Sequence, residues 1–266
     1  MPELPEVQTV VNSLKKLKNK KIVDFSYNWE KVIYNYPSKK FNQLIKSHII
    51  NSISRKGKYI ILHIDNKYLI CHLRMTGYLY LSKTIPSNDT YMRCFFTLDS
   101  HEYLIFEDVR KFGGFYIYTS LLDLEKKIGI DPFDKKFTKQ WLKSNISYKK
   151  GMIKHLLLNQ KFICGLGNIY IDEILWKSKI HPRSISKNIR NIDTLYNNII
   201  STLEESIKFH GTTIINFKFD NMRTGNYKNE LKVYGRKDLL CYRCNKKIIK
   251  QRIAGRGTYL CLHCQK

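Results

Sequence analysis

Met1-Pro2-Glu3-Leu4-Pro5-Glu6 places a potential nucleophilic amine and a carboxylate side by side. With Met1 removed, a step that a small second residue permits, Pro2 carries a secondary amine. Such an amine can attack an electrophilic carbon and give an iminium ion directly, chemistry usually done by lysine. An α-amino group titrates near 8 and a lysine near 10.4, so at pH 7.4 about a quarter of the former is neutral against about 0.1% of the latter. Pro5 suits a first helical position, and Val7, Val10, Val11, Leu14 and Leu17 follow at helical spacing. The amine is then expected near the positive end of a helix, which favours its neutral form. The same six residues also make an ordinary capped helix, with Glu3 and Glu6 complementing the dipole.

A second set of chemical residues lies near the other end. Cys241-Tyr242-Arg243-Cys244 and Cys261-Leu262-His263-Cys264 are two Cys-x-x-Cys knuckles separated by residues 245–260. That is the spacing of a four-thiolate zinc site, and a closed site with four protein ligands is structural rather than catalytic. Residues 247–252 and 258–260 read as two strands joined by Ala254-Gly255-Arg256-Gly257, a hairpin with Arg256 at its tip. Cys71, Cys94 and Cys164 sit among apolar residues and read as core thiols.

The elements that must position these groups divide along the chain. After the opening helix, strands are expected at 22–27, 58–64, 68–73, 93–98, 103–107 and 115–118, with Asp65-Asn66 and Asp99-Ser100 as hairpin turns. Many short strands at close spacing suggest a sandwich or flattened barrel. The charged, proline-containing stretch 131–146 reads as a linker, and from Ser147 the pattern turns helical, with a helix over 194–209 ended by Gly211. Residues 216–229 read as a long polar loop of the kind that covers binding sites.

The 266 residues suffice for one large or two small cores, and their net charge of +25 points to nucleic acid as partner. Residues 221–266 hold twelve Lys or Arg against two acids, so +10 of the charge is concentrated there. No apolar run reaches the length of a membrane span and no signal peptide is legible, so a cytoplasmic, nucleoid-associated monomer without small-molecule cofactor is expected.

Taken in order, seven motifs resemble one family, formamidopyrimidine-DNA glycosylase. They are Pro2-Glu3-Leu4-Pro5-Glu6-Val7, Arg55-Lys56-Gly57-Lys58-Tyr59, His72-Leu73-Arg74-Met75-Thr76-Gly77, Asp108-Val109-Arg110-Lys111-Phe112-Gly113-Gly114, Gly165-Leu166-Gly167-Asn168-Ile169-Tyr170, Val233-Tyr234-Gly235-Arg236 and the cysteine hairpin. The resemblance implies an α+β protein. Residues 1–130 would form an N-terminal catalytic β-sandwich, 147–230 a helix-two-turn-helix domain with a lesion-capping loop, and 231–266 a zinc finger. It implies damaged double-stranded DNA as partner and a nucleotide flipped out of the stack, since chemistry on a glycosidic bond cannot be done inside it.

By resemblance, Pro2 attacks the anomeric carbon, Glu3 protonates the ring oxygen, Lys58 assists base loss and β-elimination, and Arg256 grips the phosphate beside the lesion and serves δ-elimination. Met75, Arg110 and Phe112 match the void-filling residues. Lys149, Lys154 and Asn168 match backbone contacts, and Cys241, Cys244, Cys261 and Cys264 hold one structural zinc ion. The chain departs from the pattern where Thr90-Tyr91-Met92-Arg93 replaces a Lys-His-Asp-His run, leaving Tyr91 and Arg93 as phosphate contacts, and where Arg223 replaces a lysine of the capping loop. The resemblance implies excision of oxidised purines. An endonuclease VIII-like enzyme for oxidised pyrimidines and a noncatalytic zinc-ribbon DNA-binding protein are the alternatives.

Overall fold

The computed structural model describes all residues except 88–89, 214–218 and 220–222, so the expected loop over 216–229 falls partly outside the described residues. Two compact units emerge, Met1–Lys126 with Phe209–Asn226, and Lys127–Lys208 with Tyr227–Lys266.

The first unit is a β-sandwich fronted by helix α1 (Leu4–Ser13). One sheet has the order β1 (Ile22–Tyr27), β6 (Met92–Leu98), β7 (Tyr103–Asp108), β5 (Gly77–Ser82). The other runs β2 (Ile50–Lys56), β3 (Tyr59–Ile64), β4 (Lys67–His72), β8 (Gly114–Tyr118), and all strand pairs are antiparallel. Alternation along each strand turns Phe25, Phe96 and Phe106 of one sheet towards Leu62, Leu69 and Phe115 of the other. Phe115 meets Phe96 and Phe106 edge-on, with centroids 5.0 and 5.3 Å apart. The thiols of Cys71 and Cys94 are enclosed in this core and held protonated by burial, which accords with their reading as packing groups.

Helices α2 (Ser38–Ile45) and α3 (Leu122–Glu125) and strands β2 and β5 are not among the elements expected from the sequence. Both strands are sheet edges. Ile50-Asn51-Ser52-Ile53-Ser54-Arg55-Lys56 buries only Ile50 fully, so its apolar signal is weak.

The second unit is helical and contains α4 (Lys139–Ile146), α5 (Ile153–Leu158), α6 (Asn168–Lys177) and α7 (Ile192–Lys208). The stretch 131–146, expected as a linker, carries α4. Thr138 caps that helix by accepting from the Trp141 amide at 3.0 Å, and Phe137, Leu142 and Ile146 are buried. Phe137 stacks on Tyr196 and meets Trp141, so aromatic packing makes the charged segment part of the unit. The unit ends in a hairpin of β9 (Ile249–Ile253) and β10 (Arg256–Leu260). Its turn is Ala254-Gly255, both at positive φ (52° and 72°), the two-residue geometry that matches strand twist. Arg256 is thus the exposed first residue of β10 rather than a turn residue.

Residues 209–226, expected with the helical domain, belong to the first unit. Phe219 packs into the sandwich core cluster, and the Thr212 amide donates to Glu6 at 2.7 Å. Among the described residues, no helix is long and apolar enough to cross a membrane.

Candidate functional site

The start of α1 is built by its own sequence. Glu3 is the N-cap and Glu6 the third helical residue, and they form a reciprocal capping box in which Glu6 Oε2 accepts from the Glu3 amide at 2.7 Å. The capped-helix reading is therefore correct as far as it goes. Pro2, Glu3 and Glu6 are buried, an unusual place for a helix start whose only task is capping. The second oxygen of Glu6 takes the Thr212 amide, so one carboxylate pins both the residue after Pro2 and the base of the 209–226 segment. Gly211 lies against it at φ +79°, where a Cβ would fall 2.7 Å from Glu6 Oε1.

Lys58 occupies the β2–β3 turn beside Gly57, whose φ of +56° favours glycine. Arg55 fixes the turn to α1, with Nε donating to Gln8 Oε1 at 3.0 Å and Nη1 to the Gly57 carbonyl at 2.9 Å. Lys58 is buried in the same unit as Pro2 and Glu3. His72, at the end of β4, accepts from the Arg74 amide through Nδ1 at 2.9 Å. Burial, reinforced by Arg74 and Lys58, pushes its pKa down from 6.5 to about 3, so the ring is neutral at pH 7. The folded protein refuses a proton that the unfolded chain takes up, so stability present above pH 6.5 is lost as pH falls towards 3. Between pH 7 and pH 5 this costs about 2 kcal/mol. Urea midpoints at the two pH values should show that loss and a flatter acid limb in His72→Gln; equal slopes would refute it.

Two loops at one end of the sandwich carry the expected void-filling residues. Residues 73–76 lead from β4 to β5 and 109–113 from β7 to β8, so both cross between the sheets. Met75 and Phe112 are 43% and 49% exposed, and Arg110 is exposed. Arg110 Nη1 lies 3.1 Å from Met75 Sδ, and its guanidinium 4.8 Å from the Phe112 ring. The three side chains are thus already assembled.

The neighbouring departures resolve differently. Tyr91 is half exposed, whereas Arg93 is buried with Nε on the Asp108 carbonyl (2.7 Å) and Nη1 on the Thr90 carbonyl (3.0 Å). Arg93 is a brace inside the fold, which corrects its reading as a phosphate contact. Arg223 is exposed, and its carbonyl accepts from the Phe219 amide at 2.9 Å.

In the second unit, Asn168 opens α6, and its Nδ2 donates to the Gly257 carbonyl at 2.8 Å. That bond joins the helix start to the hairpin beside Arg256. Lys149 is half-buried with Nζ over the Tyr148 ring. Lys154, expected on a DNA backbone, is instead fully enclosed. Its Nζ donates to Asp172 Oδ1 at 2.5 Å and to Thr258 Oγ1 at 2.7 Å, while Asp172 Oδ2 accepts from the Tyr259 amide at 2.8 Å. The ion pair bolts α5 and α6 to β10.

The four knuckle sulfurs lie within 4.8 Å of one another, with Cys241 to Cys264 at 3.9 Å and Cys244 to Cys261 at 3.4 Å. Four thiolates about 2.3 Å from one tetrahedral ion stand about 3.8 Å apart, so this donor set suits a metal. Burial raises the Cys241 thiol, but the amides of Arg243 and Cys244, the Trp176 indole and the Cys261 thiol together outweigh it and bring it down to about 7.

Sequence reasoning missed Glu6's link to Thr212, Asp108, Asp172 and Glu173. Glu173 receives the amides of Lys232, Val233 and Tyr234 at 2.8–2.9 Å, anchoring the segment that leads into the knuckles. Adjacent acids in the apolar run around Ile169, Ile171, Ile174 and Leu175 were the available signal.

Comparison with known proteins bears on the whole of this arrangement. The model of the formamidopyrimidine-DNA glycosylase N-terminal domain matches residues 1–115, and that of the formamidopyrimidine-DNA glycosylase H2TH domain matches 128–218. A formamidopyrimidine-DNA glycosylase of Mycoplasma genitalium is 39% identical, covering 100% of this chain and 96% of its own. Lactococcus lactis Fpg, solved with N7-benzyl-Fapy-dG containing DNA, superposes with a TM-score of 0.92 at 35% identity over 100% of both chains. The same enzyme solved with oxidised-pyrimidine containing DNA gives 0.90 at 34% identity, again over 100% of both chains. Identity at this level along the full length, with the sandwich, the helical unit and the cysteine hairpin in one chain, makes this protein a DNA-repair glycosylase of the formamidopyrimidine-DNA glycosylase family.

Proposed function

We propose that this chain excises oxidised purines, chiefly 8-oxoguanine opposite cytosine and formamidopyrimidines, from duplex DNA and then cuts the strand, with Pro2 as nucleophile. The observation that carries this reading is the burial of Pro2 and Glu3 together at the start of α1, braced by Glu6. With Met1 removed, the amine attacks C1′, and the glycosidic bond breaks with its electron pair leaving on the base. The C1′–O4′ bond then opens as Glu3 gives O4′ a proton, and the nitrogen, having lost its own proton, becomes an iminium. Lys58 assists base departure and β-elimination, and a following δ-elimination, served by Arg256, leaves a one-nucleotide gap.

Met75, Arg110 and Phe112 fill the space left by the extruded nucleotide, which offsets lost stacking of a few kcal/mol. Lys149, Asn168, Tyr91 and Arg223 contact the DNA. Damaged duplex as partner accords with the relatives' DNA complexes and with the net charge of +25. The oxidised-pyrimidine complex of the Lactococcus lactis enzyme supports oxidised pyrimidines as a second substrate class.

Duplexes bearing single defined lesions, incubated with the protein and borohydride, test the reading. A covalent adduct should form fastest on 8-oxoguanine opposite cytosine and on formamidopyrimidines. No adduct on any lesion would defeat it, and preference for thymine glycol would move the chain to the pyrimidine class.

Cys241, Cys244, Cys261 and Cys264 are proposed to hold one structural zinc ion, which neutralises the thiolates and staples the hairpin. Chelation should weaken binding to lesion duplex by about tenfold or more and reduce its salt dependence, because Arg256 loses its fixed position. Unchanged affinity in protein verified metal-free would contradict this.

A further inference from the structure

Asp108 has no solvent exposure, and its two oxygens serve both inter-sheet loops. Thr76 Oγ donates to Asp108 Oδ1, and the Arg110 amide reaches the same oxygen at 3.2 Å and Thr76 Oγ at 3.1 Å. Asp108 Oδ2 accepts the amides of Phe112 at 2.8 Å and Gly113 at 2.7 Å. One carboxylate therefore holds the backbone on both sides of Lys111, whose φ is +58°, and the residue next to Met75. An independent contact presses the same loops together. A Cβ on Gly113 would fall 2.7 Å from Phe106 Cζ, 2.9 Å from the His72 carbonyl oxygen and 3.2 Å from the Leu73 carbonyl oxygen, so the 109–113 loop lies directly against the start of the 73–76 loop. The Tyr34 hydroxyl adds a bond to the Phe112 carbonyl at 2.5 Å.

We propose that Asp108, with Thr76 as its bridge, is the positioning residue that makes Met75, Arg110 and Phe112 one preformed wedge, so that base extrusion depends on a carboxylate that never touches DNA. The wedge residues come from two separate loops, each crossing between the sheets. Side chains on separately mobile loops would have to be ordered at the moment of insertion, and that entropy would be charged to the extrusion step. With four donors converging on it, Asp108 meets that cost during folding instead. The arrangement also explains why Arg110 and Phe112 flank a residue in the left-handed region: the turn is shaped to bring three amides onto one carboxylate.

The inference rests on the wedge role proposed above, and the test separates the two. Asp108→Asn turns an –NH2 group towards one pair of donors, and Thr76→Val keeps all three amide bonds while removing the bridge to the Met75 loop. Each is compared with the unmodified protein in single-turnover excision of 8-oxoguanine, in cleavage of a duplex with a preformed abasic site, and in fluorescence of 2-aminopurine beside the lesion. Excision and the fluorescence rise should slow by about tenfold to a hundredfold, as expected for misplacement on the order of 1 Å. Cleavage at the abasic site, where no base is extruded, should change by less than about threefold.

Equal losses on both substrates would assign Asp108 to general stability and overturn the proposal. So would normal excision by both variants when Met75→Ala with Phe112→Ala is impaired. Normal excision by that double variant would remove the wedge reading itself. Thr76→Val remains decisive if Asp108→Asn does not fold.

Discussion

A protein carrying one extra residue ahead of Pro2 is expected to bind lesion duplex and leave it uncut. The extension converts the secondary amine into an amide, whose nitrogen lone pair is delocalised and can form no iminium. Met1 is 55% exposed while Pro2 is buried, so added chain leads into solvent and leaves the capping box of Glu3 and Glu6 in place. Affinity for a duplex with an uncleavable abasic analogue should therefore stay within about threefold, while strand cleavage falls at least about a thousandfold, the scale of removing an activated nucleophile. Pro2→Gly, which keeps a terminal amine but loses the ring that orients it, should fall between. Parallel loss of binding and cleavage in both proteins would make Pro2 a structural residue.

The second large effect is one of stability. Lys154→Met strips the cation from a fully enclosed ion pair and leaves Asp172, among the described residues, with the Tyr259 amide. Breaking such a pair from one side costs about 3–5 kcal/mol. Burial already pushes the Asp172 carboxyl up to about 7 against the pull of Lys154, and without the cation it rises further. The variant's folded state then keeps a proton that the unfolded chain releases above about pH 4, so its stability falls as pH rises. The gap from the parent should accordingly be wider at pH 8 than at pH 5.5. Adding Asp172→Asn, which retains an acceptor for Tyr259, should restore most of the loss at pH 8. Urea midpoints give both results, and additive losses would dismiss the coupling.

Local signals carried much of this molecule. Pro5 after Glu3 marks the start of α1, alternation marks the central strands, and the cysteine spacing marks the hairpin, because each depends on residues within a turn or a strand of one another. Edge strand β2 was illegible because an edge need not be strongly apolar. Helix α4 was hidden behind a charged stretch in which Phe137 finds its stacking partner, Tyr196, over fifty residues away.

The same distance problem explains the site residues that were misread. Arg93 and Lys154 have the charge of phosphate contacts, and only tertiary structure reveals that their partners are the Asp108 backbone carbonyl and the Asp172 carboxylate, 15 and 18 residues away. Glu6 is legible as a capping residue, but its bond to Thr212, 206 positions along the chain, is not. Those buried carboxylates brace the start of α1, the two inter-sheet loops and the hairpin.

The central claim is that the Pro2 amine forms the covalent link to DNA. Borohydride reduction of the protein on an 8-oxoguanine duplex, followed by proteolysis and mass spectrometry of the adduct, tests it most directly. The sugar remnant is expected on the nitrogen of Pro2 in the N-terminal peptide, with Met1 absent. A remnant on the Nζ of Lys58 or of any other lysine would contradict it.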